Sequence, residues 1–288
     1  MTLLAERAML ASLHIGVWSG KAVDRAVTEE VSETHKADAR EAGRYNKQLV
    51  APKFLHKVGS VVSYGRSVHR TLTLPWDDDG TRILSTTGYE QYTQQMRLVR
   101  IKFDDAVKLF INGLSEYVDE ARKRLGTMFN QDDYPSSDDI KSKFGLDVEI
   151  KGLSTAGDFR AQLSDATVKA IQKDIERRAD ARVEAAMKDV YQRIYNVTSK
   201  MAEKLKEFDP ASSEGRFKDS LVYNVHQLAE LLPILNITND QKLIDLQARL
   251  KRELVEHSPE ILRADPKARN ETQRRAEAIA AKVKKLLG

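Results

Sequence analysis

The chain has 288 residues and a formal net charge of +4, with 31% charged residues and only 7% aromatic residues. It contains no cysteine, which excludes disulfide bonds, thiol catalysis and cysteine-ligated zinc. No run approaches the roughly 20 apolar residues of a membrane span, and no signal-peptide pattern is present, so we expect a cytoplasmic protein without membrane association.

The first 85 residues predict one strand followed by two helices. Alternating apolar residues over 10–18 indicate the strand. Helix-spaced valines from Val23 predict a helix that fades near Gly43, and a second helix begins at Pro52 and continues to Leu72. Residues 74–80 have the proline, aspartate and glycine content of a loop.

Two long apolar stripes of helical periodicity dominate the middle of the chain. One extends from Tyr89 to Met128 and the other from Val168 to Phe208, in steps of three or four residues. Each stripe predicts a helix roughly 60 Å long, and Thr87 with Glu90 predicts a capping box at the start of the first one. Packing of the two stripes on each other predicts a long antiparallel hairpin, whereas the alternative is a partner-binding surface.

The segment between the stripes predicts a small α/β knob at the hairpin tip. A serine- and aspartate-rich cap precedes a short helix that we expect to end near Gly145, and alternation over 146–150 predicts a strand. That strand could offer an edge to a second copy or to a partner. After the second stripe, which begins near Leu163, apolar spacing predicts three more helices, with the first closed by Pro233.

Together these elements predict an all-α fold, built on a long coiled-coil-like helical hairpin with the knob at its tip and a bundle of terminal helices. The predicted organisation has three consecutive segments. Residues 1–85 form the N-terminal strand and basic helices, 86–208 form the hairpin with its knob at 130–162, and 209–288 form a C-terminal three-helix segment.

Positive charge is concentrated in two places. Residues 36–72 hold eight Lys and Arg against two acids, and the last predicted helix is also basic. Lysine, arginine and tyrosine commonly contact phosphates, and tyrosine can stack on unpaired bases. The alternative is a solvated face whose charges pair with acids elsewhere. The candidate nucleic-acid contacts are Arg44, Lys47, Lys53, Lys57, Tyr64, Arg66, Arg70, Lys267, Arg274 and Lys285.

Negative charge is concentrated in the predicted knob. Residues 131–149 hold six acids and two lysines. Segments of opposite charge at separate places favour different partners, so a protein partner, for example an ATPase, is predicted here. The candidate partner contacts are Asp132, Asp133, Asp138, Asp139, Asp147 and Glu149.

Motifs of catalysis and of metal or cofactor binding are absent from the sequence. There is no P-loop, no GxGxxG, no nucleophile elbow and no HExxH. Asp77–Gly80 places three acids directly before a glycine, which suits a turn rather than a calcium loop. We therefore expect no catalytic residue, no metal and no cofactor, the alternative being carboxylates that assemble in a pocket through the fold.

Three short segments carry a family resemblance: Ile15–Lys21, Thr73–Trp76 and Asp219–Val222 with the Leu231–Pro233 that follows. They resemble an uncharacterised helical family, a domain of unknown function, of tailed phages and prophages. The resemblance implies a phage-type protein in the bacterial cytoplasm. The leading prediction is a non-enzymatic nucleic-acid-associated protein that binds phosphates through its basic helix. The alternative is an oligomeric scaffold or adaptor that binds a protein through the acidic tip.

Overall fold

The computed structural model describes residues 2–38, 41–158, 164–210 and 217–288, and these are mostly helical with a small sheet. The sequence predicted an all-α fold, which is confirmed at the level of a mostly helical class, since the described residues also contain strands. The helices are α1 (Thr2–Arg7), α2 (Arg25–His35), α3 (Pro52–Leu72), α4 (Tyr89–Asn112), α5 (Leu114–Leu125), α6 (Ser137–Ser142), α7 (Asp165–Lys206), α8 (Ser220–Leu235), α9 (Gln241–Leu254), α10 (Pro259–Ala264) and α11 (Pro266–Leu287). The strands are β1 (Ala8–Gly16), β2 (Lys21–Val23), β3 (Asn46–Gln48), β4 (Leu74–Pro75), β5 (Arg82–Ser85) and β6 (Gly145–Gly152).

Four of the strands form one sheet in the order β4-β5-β1-β6, and β2 and β3 form a separate antiparallel pair. In the sheet, β5 is antiparallel to both of its neighbours, with Ala8 opposite Ser85 and Leu74 opposite Ile83. The predicted strands at 10–18 and 146–150 correspond to β1 and β6. The strand predicted for the knob is therefore part of a larger sheet, in which β6 is the end strand beside β1. That its outer edge meets a second copy or a partner stays a prediction.

The chain divides into two units that are discontinuous in sequence, whereas the three predicted segments are consecutive. Unit 1 consists of Met1–Ser12, Arg70–Tyr92 and Glu149–Gly288, and unit 2 consists of Leu13–His69 and Thr93–Val148.

Unit 1 is organised around α7, which confirms that the second long stripe forms one helix. Its predicted start at Leu163 lies outside the described residues, and the described helix begins at Asp165. Helix α11 packs along it, and α8 and α9 complete the core. The buried side chains include Val190 and Ile194 of α7 and Ile279 of α11. Since α11 is the helix that covers α7, the pairing of the two long stripes in a hairpin stays an unconfirmed prediction.

Unit 2 buries the apolar sides of α3 and α4. Val58 of α3 and Val99 and Phe103 of α4 are almost completely shielded from solvent. The ring of Trp18 lies with its centroid 6.1 Å from that of Phe110, also in α4. The exposed side of α3 therefore faces away from a well-packed aromatic and aliphatic core.

The first long stripe is broken at Gly113, so the prediction of one continuous helix from Tyr89 to Met128 is wrong. Gly113 separates α4 from α5, and its N–H donates to the carbonyls of Leu109 and Phe110, each at 3.2 Å. A Cβ at Gly113 would collide with the ring of Tyr117, which instead stacks on Phe54 with centroids 4.0 Å apart. The glycine thus gives the ring its space at the expense of helix continuity.

Several predicted boundaries also need correction. A 3-10 turn precedes α4 and is capped by Ser85, whose Oγ accepts the N–H of Gly88 at 3.1 Å. The Thr87–Glu90 capping box stays a prediction. The helix expected to run from Val23 to near Gly43 is α2, which covers only Arg25–His35.

The C-terminal region departs from the prediction in two ways. Pro233 lies inside α8 instead of ending it, and the short helix α10 is an addition to the three expected helices. Among the described residues, no helix combines the length and apolarity needed to cross a membrane.

Candidate phosphate-binding surfaces

Helix α3 has the predicted bounds, Pro52–Leu72, and the predicted amphipathic character. Val58 and Val62 are buried on its inner side. One turn further on, Gly65 meets α4 so closely that an added Cβ would lie 2.8 Å from Cγ1 of Val99. A glycine at this position allows the two helices to approach, which fixes the orientation of the remaining faces of α3.

Four exposed residues on the outer side of α3, Lys53, Lys57, Ser60 and Tyr64, form what we call the lysine–tyrosine ridge. Their spacing of four, three and four residues places them along one line of the helix. The Lys53 side chain is 67% exposed, and its Nζ is 4.0 Å from Glu120, a distance at which an exposed pair contributes little. Among the described residues, no carboxylate lies within 4.0 Å of the Lys57 ammonium. The positive charge of the ridge is therefore largely uncompensated.

Tyr64 links the ridge to α4. The residue is 42% exposed, and the Nζ of Lys102 lies 4.9 Å from the centroid of its ring. This cation–π contact adds a third cation beside the two ridge lysines.

Arg66 belongs to a different surface from Lys53 and Lys57. It follows Tyr64 by two residues, which turns its side chain by about 200° around the helix. There it lines an open cleft of about 680 Å³ together with Arg100 of α4, Leu13–Gly16 of β1 and Gly145–Asp147 of β6. We call this the arginine cleft. The predicted basic residues of α3 are thus divided between two surfaces.

The cleft has a net positive character. Arg100 Nη2 is 3.8 Å from Asp147 Oδ1, a loose ion pair between two exposed side chains. No carboxylate of the described residues lies within 4.0 Å of the Arg66 guanidinium. The exposed residue His14 also lines the cleft.

Lys47 does not contribute to either surface, and its prediction as a phosphate contact is corrected. The residue is only 4% exposed. Its Nζ lies 2.8 Å from Asp24 Oδ2 and 2.6 Å from Asp133 Oδ2, and it donates to the Met128 carbonyl at 2.9 Å. These three partners, all in unit 2, surround the ammonium and keep it away from the exposed surfaces.

The Lys47 ammonium and the carboxylates beside it stabilise each other's charged forms. Burial lowers the pKa of Lys47, but the hydrogen bonds to Asp133 and Asp24 outweigh that effect and leave the pKa above its usual value. The pKa of Asp24 is lowered, first by the hydrogen bond from Lys47 and then by that from the backbone N–H of Val27. Both shifts indicate that the charged forms are stabilised in the fold.

The remaining predicted cations lie elsewhere. Arg44 is exposed outside the regular elements of unit 2, and Arg70 is exposed on the last turns of α3, which belong to unit 1. Three exposed cations of α11, also in unit 1, are aligned along one side of that helix because their spacing is seven and eleven residues. They are Lys267, Arg274 and Lys285.

The predicted acidic contacts have separate local environments. Asp133 binds Lys47, Asp147 lies in the arginine cleft, and Glu149 is 2.9 Å from Lys151. Asp139 takes part in the cap of α6, since its N–H donates to Ser136 Oγ. Asp132 and Asp138 are exposed.

The sequence analysis missed Arg100 and Lys102. Arg100 directly follows one apolar position of the first stripe, and Lys102 directly precedes the next. The helical period therefore places both cations on the exposed side of the helix but does not indicate what lies near them. Their proximity to α3 depends on the Gly65–Val99 contact, which no local pattern indicates. Among the described residues, no group of three or more metal-ligating side chains is close enough to hold a metal ion.

Comparison of the chain with protein-family models, with curated proteins and with solved structures found no match. From its fold and its two surfaces, the protein is a mostly helical protein of two units with exposed basic residues.

Proposed function

We propose that the protein binds nucleic acid through phosphate contacts at the lysine–tyrosine ridge and performs no chemistry on it. The observation that carries this proposal is the exposed, largely uncompensated charge of Lys53 and Lys57 on a helix held by a packed core. Contacts to phosphates carry no base information, so binding is independent of sequence. Tyr64 adds a ring on which an unpaired base can stack, which favours single strands.

The resemblance to a phage and prophage family supports a setting for this activity. We propose that the protein acts in DNA metabolism within a bacterial cytoplasm. The adaptor alternative has weaker support, because Asp133, Asp139 and Asp147 of the acidic set make contacts within their own unit.

The test is fluorescence anisotropy with labelled single- and double-stranded DNA over a salt series. The two ridge lysines and the neighbouring Lys102 predict a slope of log K against log salt of about −2 for single strands and about −3 for duplexes. Reversal of two of them, in Lys53→Glu/Lys57→Glu, is expected to weaken binding more than tenfold at low salt and to flatten the slope.

A matched control makes the same charge change elsewhere. Lys169 and Lys188 are exposed on α7 in unit 1, so Lys169→Glu/Lys188→Glu has the same net charge as the ridge variant. We expect this control to keep the slope of the unchanged protein. Equal losses of affinity in the two double variants would mean that binding depends on net charge and not on the ridge. Absence of binding at low salt would eliminate the proposal.

A further inference from the structure

We infer that the arginine cleft binds a phosphomonoester, the group that ends a 5′-phosphorylated strand and that a free nucleotide also carries. This inference deepens the proposed function, on which it rests for the strand as ligand. Its basis is that the cleft combines two guanidinium groups, Arg66 and Arg100, from two different helices.

The position of the two arginines is set by the helix contact beside them. Gly65 and Val99 form that contact, and each immediately precedes one of the arginines in sequence. Arg66 and Arg100 thus extend from beside the α3–α4 contact, and both line the cleft. The close approach at Gly65 holds the two helices together and so fixes the backbone positions from which the two arginines extend.

The remainder of the cleft suits the nucleoside part of such a ligand. The end of β1 lies close to the start of β6, since a Cβ on Gly16 would be 3.2 Å from the Lys143 carbonyl oxygen. Leu13 and Ile15 are half-buried and Leu146 is buried. The cleft is open and has polar as well as apolar lining, which leaves room for a sugar and a base beside the phosphate.

The charges favour a terminal phosphate over a phosphodiester. A phosphomonoester carries about −1.5 to −2 charges at pH 7 and three acceptor oxygens, which match two forked guanidinium groups. Asp147 offsets part of the charge of Arg100, so the single charge of a diester is held less firmly. The exposed Asp147 carboxylate can in turn accept a hydrogen bond from a sugar hydroxyl.

The experiment compares 5′-phosphorylated with 5′-hydroxyl single-stranded oligonucleotides by anisotropy, and AMP with adenosine by calorimetry. We expect the phosphorylated strand to bind at least fivefold tighter. Arg66→Gln and Arg100→Gln should reduce this ratio to about one. Arg97→Gln is the control, because Arg97 is an exposed cation of α4 that does not line the cleft. Arg66→Lys, which keeps the charge and loses the fork, should retain part of the ratio.

The arms distinguish the two sources of the phosphate. Binding of AMP that is lost in Arg66→Gln supports the inference with the free nucleotide as ligand, and a strand-end preference without AMP binding supports it with the strand as ligand. Equal binding of both strands together with equal behaviour of AMP and adenosine overturns it. The proposed function is tested separately by the reversal of Lys53 and Lys57. This reversal should lower the affinity for both strands equally without changing the ratio of the two affinities, and unchanged affinities would contradict the proposed function alone.

Discussion

The same substitution should affect stability at Lys47 and nucleic-acid binding at Lys57, although the two lysines are only ten residues apart. Lys47→Met removes a buried ammonium from Asp24 and Asp133. Lys57→Met removes an exposed charge that has no carboxylate within 4.0 Å among the residues that the structure describes. Methionine retains most of the length and the apolar stem of lysine, so packing changes little in either case. We expect Lys47→Met to destabilise unit 2 and Lys57→Met to weaken nucleic-acid binding.

The size of the expected loss of stability depends on the carboxylates that remain when the ammonium is removed. Removal of one partner from a buried ion pair costs about 3–5 kcal/mol, because the remaining charge is buried without compensation. The Asp133 side chain is 25% exposed and that of Asp24 is 10% exposed, so water can solvate them in part. We therefore expect the lower end, about 3 kcal/mol, for Lys47→Met. A surface substitution such as Lys57→Met is expected to change the stability by less than about 0.5 kcal/mol.

The two tryptophans make this measurable in unit 2 alone. Trp18 lies in unit 2 and is 6% exposed, whereas Trp76 lies in unit 1. In a Trp76→Phe background, urea unfolding followed by tryptophan fluorescence reports on Trp18. Equal midpoints and slopes for the Lys47→Met and Lys57→Met variants would refute the buried-group argument, as would a loss of DNA binding in Lys47→Met at unchanged stability.

Three further outcomes can be checked in the same way. The pKa of Asp24 is lowered from 3.8 in the fold, so its carboxylate stabilises unit 2 fully above that pH, and this stabilisation is lost as the pH falls through the lower pKa of the folded state. Unit 2 should therefore lose stability below about pH 4, which an acid titration followed by circular dichroism would measure. Gly65→Ala should cost about 1–3 kcal/mol in urea unfolding through overpacking against Val99, and a Val99→Ala change should relieve much of that loss. Tyr191→Phe should cost about 1–2 kcal/mol in unit 1 in thermal unfolding, since it removes the 2.6 Å hydrogen bond that Tyr191 donates to Asp240; a smaller cost than about 0.5 kcal/mol would contradict a net contribution.

Local patterns in the sequence were sufficient for the basic helix and insufficient for its surroundings. Proline at the first position and a regular apolar line set both ends of α3 and identified its exposed side. Nothing local separates Lys47 from Lys57, because the acid that binds Lys47 most closely, Asp133, is 86 residues further along the chain. The burial of Lys47 is thus a property of the tertiary structure.

The same limit explains the errors in the long elements. Periodicity identified α7 and the residues of α4 and α5, but an apolar stripe does not name the helix that covers it, and for α7 this is α11. The apolar periodicity continues through Gly113, because the break depends on the Tyr117 ring, whose position is set by its stacking on Phe54. Alternation identified β6, but its neighbour β1 comes from the opposite end of unit 2's sequence.

The positions of the ridge and the cleft bear on the kind of nucleic acid that can use both. Tyr64 and Arg66 diverge by about 160° around α3, so the two surfaces face opposite flanks of one helix. A stiff duplex lying along Lys53 and Lys57 cannot also place its end at Arg66, whereas a flexible single strand can pass around a helix about 10 Å wide. A preference for a 5′-phosphate should therefore accompany tight binding of single strands and be absent for blunt duplexes. A duplex that shows the same preference would mean that the cleft is reached without the ridge, and the two sites would then bind separate ligands.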